Sequence, residues 1–299
     1  MNPNIVIIVL GAYILAFMIC NLAVFTFKIR RKGGRPPVEF KLLRGPGESL
    51  RRRIKKFDDE FAWRIFLAAT LPILLAGIAL QGAAAARPQS YLEVWAVLVA
   101  PVLVLAGSLV LAGIYLYRSF VRYRNDSLGY LGERHVAELM EPLLREGYSI
   151  FHDVPAVGKG TEFNLDHVIV GPTGVALVET KTRRKSKKSP HKRSYTVYAN
   201  ADHLKWPWGR ENAELKQTLD QANWLSTFIQ GRTGLKTSVA PILALPGWMV
   251  EGEVSSGVSV LNPKRLPAVV RHLTGSHMTA GEIDLIHRQL DSFCRTITD

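Results

Sequence analysis

The sequence predicts a multi-pass α-helical membrane anchor followed by an α/β domain, a mixed β-sheet flanked by helices. Three observations predict this. Apolar residues crowd the part of the chain before Arg118. Three stretches there are long enough to cross a bilayer. From Asn125 onward short apolar runs alternate with helical periodicity, as in soluble α/β domains.

The first stretch, Ile5 to Phe27, has no charged residue, and a hydrocarbon core of ~30 Å needs about 20 apolar residues. It is too long for the apolar centre of a secretory signal. No basic residue precedes it and no clear small-residue cleavage site follows. Ile65 to Ala86 and Leu92 to Tyr117 are the other two, and the short connection around Arg87 makes them a helical hairpin. Pro72 and Pro101 fall inside these spans, which membrane helices tolerate.

The loop between the first two spans is strongly basic, with Arg30, Arg31, Arg51, Arg52 and Arg53 among its residues; Arg118, Arg122 and Arg124 follow the third span. Basic flanks stay in the cytoplasm. The expected arrangement is therefore multi-pass in the cell (inner) membrane, amino terminus outside. Residues 1–27 would hold the first span and a short external start, 28–64 a basic cytoplasmic loop, and 65–117 the hairpin. Residues 118–126 would be a linker and 127–299 the cytoplasmic domain. The loop would set topology and hold anionic lipid of the bilayer, each basic residue contributing ~1 kcal/mol near the surface.

A net charge of +13 favours anionic partners, either nucleic acid or an anionic bilayer face. The two cysteines, Cys20 and Cys294, have no neighbours at ligand spacing, so disulfide frameworks and zinc fingers are unsupported.

In the domain, Leu131 to Glu146 carries Val136, Leu139, Met140 and Leu143 at helical spacing, and Gly147 stops the helix. The runs YSIFHDV, LDHVIVG, GVALVETK and YTVYAN read as strands, and Glu211 to Gln230 as a helix. VAPILAL and GVSVL are further strands, and helices near Leu266–Leu273 and Glu282–Arg295 close the chain.

Two acids interrupt the most strand-like part of this pattern. Gly171-Pro172-Thr173-Gly174 is good turn chemistry. A turn centred there sets Asp166 opposite Glu179, and side-chain alternation puts Lys181 on the same face. Like charges held ~5 Å apart repel, unless a divalent cation sits between them. Mg²⁺ takes oxygen ligands, one or two carboxylates with water and substrate phosphate completing the shell. A neighbouring lysine can position an attacking water and stabilise charge on phosphorus. The alternative is that both acids merely bond backbone amides or Lys181.

These residues resemble a known family. Gly132-Glu133 at a helix start, FHDV, NLDHVIVGPTGVALVETK and a following helix bearing Gln are similar to the nuclease-related (NERD) domain. That domain belongs to the PD-(D/E)xK superfamily, with its restriction-endonuclease-like core. The likeness runs from Ser127 to Asn262. It implies a helix–strand–strand–strand–helix–strand core, metal binding by Asp166 and Glu179, and Lys181 as the catalytic lysine. It further implies that Glu133 supplies another acid and metal ligand. The family's helix Gln corresponds to Gln217 or Gln221, four apart on one helical face; the Pro that usually starts that helix is absent here.

Arg183, Arg184, Lys185, Lys187, Lys188, Lys192 and Arg193 follow the lysine directly, where a phosphate backbone would lie. Such contacts give affinity and salt dependence without sequence preference. Trp206 and Trp208 read as packing residues rather than base-stacking ones, and His167 should point to the face opposite Asp166.

The expected activity is a membrane-anchored, divalent-metal-dependent endonuclease acting on nucleic acid, DNA rather than RNA, with Mg²⁺ as cofactor and Mn²⁺ able to substitute. The alternative is a tethered nucleic-acid-binding or adaptor protein. It would use the fold without turnover, or only when recruited by a protein partner or as a homo-oligomer.

Overall fold

The computed structural model describes residues 19, 40–86, 88–158, 160–185, 195–252, 254–273 and 277–298. Apart from Ile19, the first expected span lies outside them. The chain divides into two compact units. One holds residues 60–120 among those described, and the other holds Lys41–Asp59 with Val121–Ile297.

The first unit is helical. Helix α1 (Glu48–Ala85) and helix α2 (Tyr91–Leu144) each contain an 18-residue stretch apolar enough to cross a bilayer, with mean hydropathies of 2.0 and 2.6. Their apolar side chains are exposed, Leu98, Leu103 and Leu111 at 60 to 68 %, and nothing among the described residues buries them. Ser90 and Glu93 start α2 as a reciprocal cap: the Glu93 amide donates to Ser90 Oγ and the Gln89 amide to Glu93 Oε2.

Two boundaries differ from expectation. Residues 118–126 are not a linker but a helical part of α2, which continues without interruption into the helix expected at Leu131–Glu146. The reason is local: this stretch changes from apolar to charged but contains neither Pro nor Gly, so nothing breaks the backbone ladder. Residues 28–64 are likewise not all loop. Strand β1 spans Phe40–Leu43, and α1 begins at Glu48, whose carboxylate pairs with Arg51 and Arg52 at the spacing that supports a first helical turn.

The second unit is a mixed α/β domain. Its main sheet has the order β10-β11-β8-β4-β3-β2. These strands are β2 (Ser149–Gly158), β3 (Thr161–Gly171), β4 (Gly174–Thr180), β8 (Val239–Ala244), β10 (Val254–Ser255) and β11 (Val258–Leu261). The turn fixes the register as its chemistry implies: Gly171 faces Gly174 and His167 faces Val178. Gly174 has φ 118°, a value that suits glycine. Strand β4 then runs parallel to β8, Glu179 beside Leu243.

One face of the sheet packs against α3 (Ala213–Thr233) and α5 (Ala280–Phe293), joining Leu165, Val168 and Leu177 to Leu225, Ile229 and Leu290. The other face packs against the end of α2 and the short α4 (Leu266–Arg271), joining Ile169 and Val178 to Met140, Leu143 and Val270. A second sheet, in the order β7-β6-β5-β9, uses β5 (Thr196–Ala199), β6 (Leu204–Trp206), β7 (Gly209–Glu211) and β9 (Met249–Glu251). Finally β1 pairs with β12 (Arg295–Thr298), so residues far apart in sequence close the domain together.

The approach of α2 to the end of β4 depends on Gly132, where a Cβ would overlap the Thr182 hydroxyl. Gly132→Ala should therefore destabilise the domain by about 1–3 kcal/mol, the usual range for overpacking. Thermal unfolding of this variant beside Gly132→Ala/Thr182→Gly checks it: the second change should restore much of the loss.

Candidate functional site

Three adjacent strands each bring one acid to the same level of the sheet. On β2 and β3, His152 faces His167 and Val154 faces Leu165, which sets Asp153 beside Asp166. The β3–β4 register carries the row on from Asp166 to Glu179. Phe151 and Val154 enter the same core although they are three apart, and so do Leu165 and Val168. Side-chain alternation is therefore broken in both strands at the level of the acids. Asp153 has φ 49°, a left-handed conformation that re-aims its side chain while the register stays the same on either side.

The row is held by specific donors. The Thr180 amide donates to Asp166 Oδ2 at 2.7 Å. Gln217 Nε2 donates to Glu179 Oε1 at 2.8 Å, while Glu179 Oε2 is buried with no hydrogen-bond partner. Gln221, one helical turn on, also presents its side chain to Glu179 and favours its ionised form. Lys181 Nζ lies 3.7 Å from Glu214 Oε1 and favours ionisation of both Asp166 and Glu179. Glu133, from α2, is 7 % exposed.

Burial dominates the electrostatics. It pushes the Asp166 carboxyl up to about 7, with Asp153 adding to the rise and the Thr180 amide and Lys181 opposing it. Burial and then the charges of Asp166, Asp153 and Glu179 push Glu133 up to about 9. Glu179 is raised well above the carboxylate range, first by burial and then by Asp166. Asp153 thus raises the proton affinity of Asp166, Asp166 that of Glu179, and all three that of Glu133, the condition in which a hard cation is most welcome.

The residues fit such a cation. Glu179 offers a buried oxygen without a donor, beside an Asp166 whose charge is incompletely balanced. Among the described residues no three His, Cys, Asp or Glu side chains converge closely enough to share one ion. A cation here would rest on Asp166 and Glu179, with water or substrate oxygens completing its shell. The pair acts electrostatically on Glu133.

Asp153 belongs to the site yet was not singled out in the sequence. It carried one signal, an acid inside the strand FHDV. Its partners come from the segment expected as a basic loop. Arg44 NH1 donates to the Asp153 carbonyl at 2.9 Å and to its Oδ2 at 3.0 Å, and Ser49 Oγ donates to the same Oδ2 at 2.7 Å. Asn164 Nδ2 in turn holds Ser49. The Arg44–Asp153 ion pair is buried, with side-chain exposures of 13 % and 5 %.

The basic run is engaged within the domain. Arg183 pairs with Glu211 and Glu214, Arg184 donates to Asn125 and to the Arg124 carbonyl, and Lys185 lies over the rings of Tyr195 and Trp248. These contacts tie the strand end to the domain, while Arg184 and Lys185 stay exposed. Lys187, Lys188, Lys192 and Arg193 lie outside the described residues. Trp206 is buried and stacks on Trp208. His167 is fully buried, its Nδ1 2.8 Å from Nδ1 of His152.

Two predictions follow from this geometry. Arg44→Ala leaves a buried aspartate unpaired and should destabilise the domain by about 3 kcal/mol; adding Asp153→Asn should recover most of that in a double-mutant cycle read by denaturant unfolding. The second concerns pH. Asp166 and Glu133 have folded pKa values of about 7 and about 9, above their ordinary 3.8 and 4.5. The folded state therefore keeps protons that the unfolded state has released, and stability falls as pH rises from about 5 towards 9. With divalent ions chelated, the melting temperature should be lower at pH 8.5 than at pH 6. Asp166→Asn should flatten that dependence.

Residues 128–246 match the family model described as the nuclease-related domain. Comparison with curated proteins and with solved structures returns no match. The matched segment contains the whole acid row, Lys181 and both glutamines, but not Arg44 or Ser49. Over residues 128–246 this chain carries a nuclease-related domain, of the PD-(D/E)xK-like nuclease type.

Proposed function

We propose that this protein is a membrane-anchored, divalent-metal-dependent nuclease that hydrolyses phosphodiester bonds of nucleic acid, DNA in preference to RNA, on the cytoplasmic side. The single observation that carries the reading is the buried acid row with an unpartnered Glu179 oxygen beside Lys181. The family match supports the reaction class. The two long apolar helices support the anchor, and the basic residues flanking the spans support an orientation with the amino terminus outside.

Asp166 and Glu179 hold Mg²⁺ (Mn²⁺ substitutes), and Glu133 adds a further ligand through water. When bound, the ion polarises the phosphate and lowers the pKa of a bound water. Gln217 fixes Glu179 through Oε1 and leaves Oε2 for the ion. Lys181, steadied by Glu214, orients the attacking water and stabilises the charge that develops on the phosphate. Gln221 supports Glu179 from the next helical turn.

The test uses the full chain in detergent, because a fragment beginning near Arg118 lacks Arg44 and Ser49. Plasmid and single-stranded DNA are incubated with Mg²⁺, Mn²⁺ or EDTA. Cleavage should require the metal and fall by at least about 100-fold in Lys181→Ala and Asp166→Asn, the scale of a lost general acid–base group. DNA that binds, is released by salt and is never cut under any divalent ion would make the protein a tethered binding or adaptor protein instead.

A further inference from the structure

A groove of about 710 Å³ runs beside the acid row, between the end of the β2–β3 hairpin and the exposed side of α3. Its inner wall includes Gln217, the residue that donates to Glu179. The groove and the acids therefore share a side chain, and a ligand that fills one lies next to the other.

The lining combines two unlike chemistries. Phe163 and Trp224 meet edge to face at 5.6 Å. Trp224 is fixed before any ligand arrives: its Nε1 donates to the Val157 carbonyl at 2.8 Å, and Phe228 stacks on its ring at 5.2 Å. Gly158 leaves room for Phe163, since a Cβ there would press on its ring at 3.1 Å. Beside these two rings stand amides and charges: Asn223, Asp220, Lys216 and Gln221. Gln221 is 6 % exposed, and its Oε1 has no donor.

Aromatic rings at a groove wall, bordered by hydrogen-bonding side chains, are chemistry that takes a nucleobase, and a lysine among them suits its phosphate. A base inside a duplex has both faces stacked and its edge paired, so it cannot use such a wall. We propose that this groove receives one unpaired nucleobase of the strand being cut, next to the scissile phosphate. The protein would then select single-stranded or unpaired regions over intact duplex. The inference rests on the nuclease reading of the acid row and names the substrate form for it.

The experiment uses the full chain in detergent carrying Asp166→Asn, so that bound strands stay whole. Fluorescence anisotropy compares a labelled oligonucleotide, its duplex and the same oligonucleotide with one abasic position. Trp224→Ala should weaken the single strand about tenfold, the scale of one lost base stack, and leave the duplex unchanged. Trp224→Phe should keep most of the affinity, and the abasic strand should lose its penalty from Trp224→Ala.

Trp224 also supports packing, so Asn223→Ala, on the exposed side of α3, gives an independent reading. It should change the ranking among homopolymer strands without moving the melting temperature. Equal weakening of strand and duplex, or no change in either variant, would overturn the base-binding groove while leaving the nuclease intact. Competition by a free nucleoside monophosphate as strong as that by the strand would overturn it too. Binding of neither nucleic acid by the Asp166→Asn background would instead defeat the nuclease reading itself.

Discussion

The domain is organised around like charges that it cannot keep apart. Asp153, Asp166 and Glu179 arise on neighbouring strands at one level, and Glu133 joins them from α2. Little of each is exposed; Asp153 makes Asp166 harder to ionise, Asp166 does the same to Glu179, and all three do so to Glu133. Hydrogen bonds relieve only part of this. Thr180 satisfies one oxygen of Asp166 and Gln217 one oxygen of Glu179. Arg44 and Ser49 both donate to Oδ2 of Asp153. What remains uncompensated is concentrated between Asp166 and Glu179, where a hard cation and a phosphate would replace the missing partners.

Much of this was legible in the sequence because it is local. The turn at Gly171–Gly174 sets the β3–β4 register within a few residues, so the placement of Asp166 against Glu179 needs no tertiary information. The spacing of Gln217 and Gln221 similarly puts both on one side of α3. The missed parts depend on contacts across long sequence distances. Arg44 reaches Asp153 over 109 residues, and no periodicity announces such a pairing. The kink at Asp153 also hides in an ordinary strand pattern, because alternation is broken in both partner strands together. The continuity of α2 was obscured for another reason: a change in composition looks like a boundary, although only backbone geometry can end a helix.

The charges past Lys181 show how local context changes the meaning of a basic run. Read as a string, Arg183 to Arg193 looks like a solvated patch. In the fold its first three members are drawn back onto Glu214, α2 and an aromatic cluster formed by Tyr195 and Trp248. Arg183 and Lys181 share Glu214, so the acid on α3 ties the strand end to the helix that also carries the glutamines.

The pairing of Arg44 with Asp153, and of β1 with β12, has a consequence for how the protein comes to exist. The folded unit is discontinuous in sequence: Lys41–Asp59 is made first, the apolar residues of α1 and α2 follow, and the rest of the unit comes last. Synthesis proceeds at roughly 5–20 residues per second, so Arg44 waits several seconds before its aspartate appears. During that interval the hydrophobic hairpin has left the ribosome and must find its own environment. The acid row and its Arg44 partner can come together only after the apolar residues of α1 and α2 have been made, so the centre is completed late in the chain's synthesis.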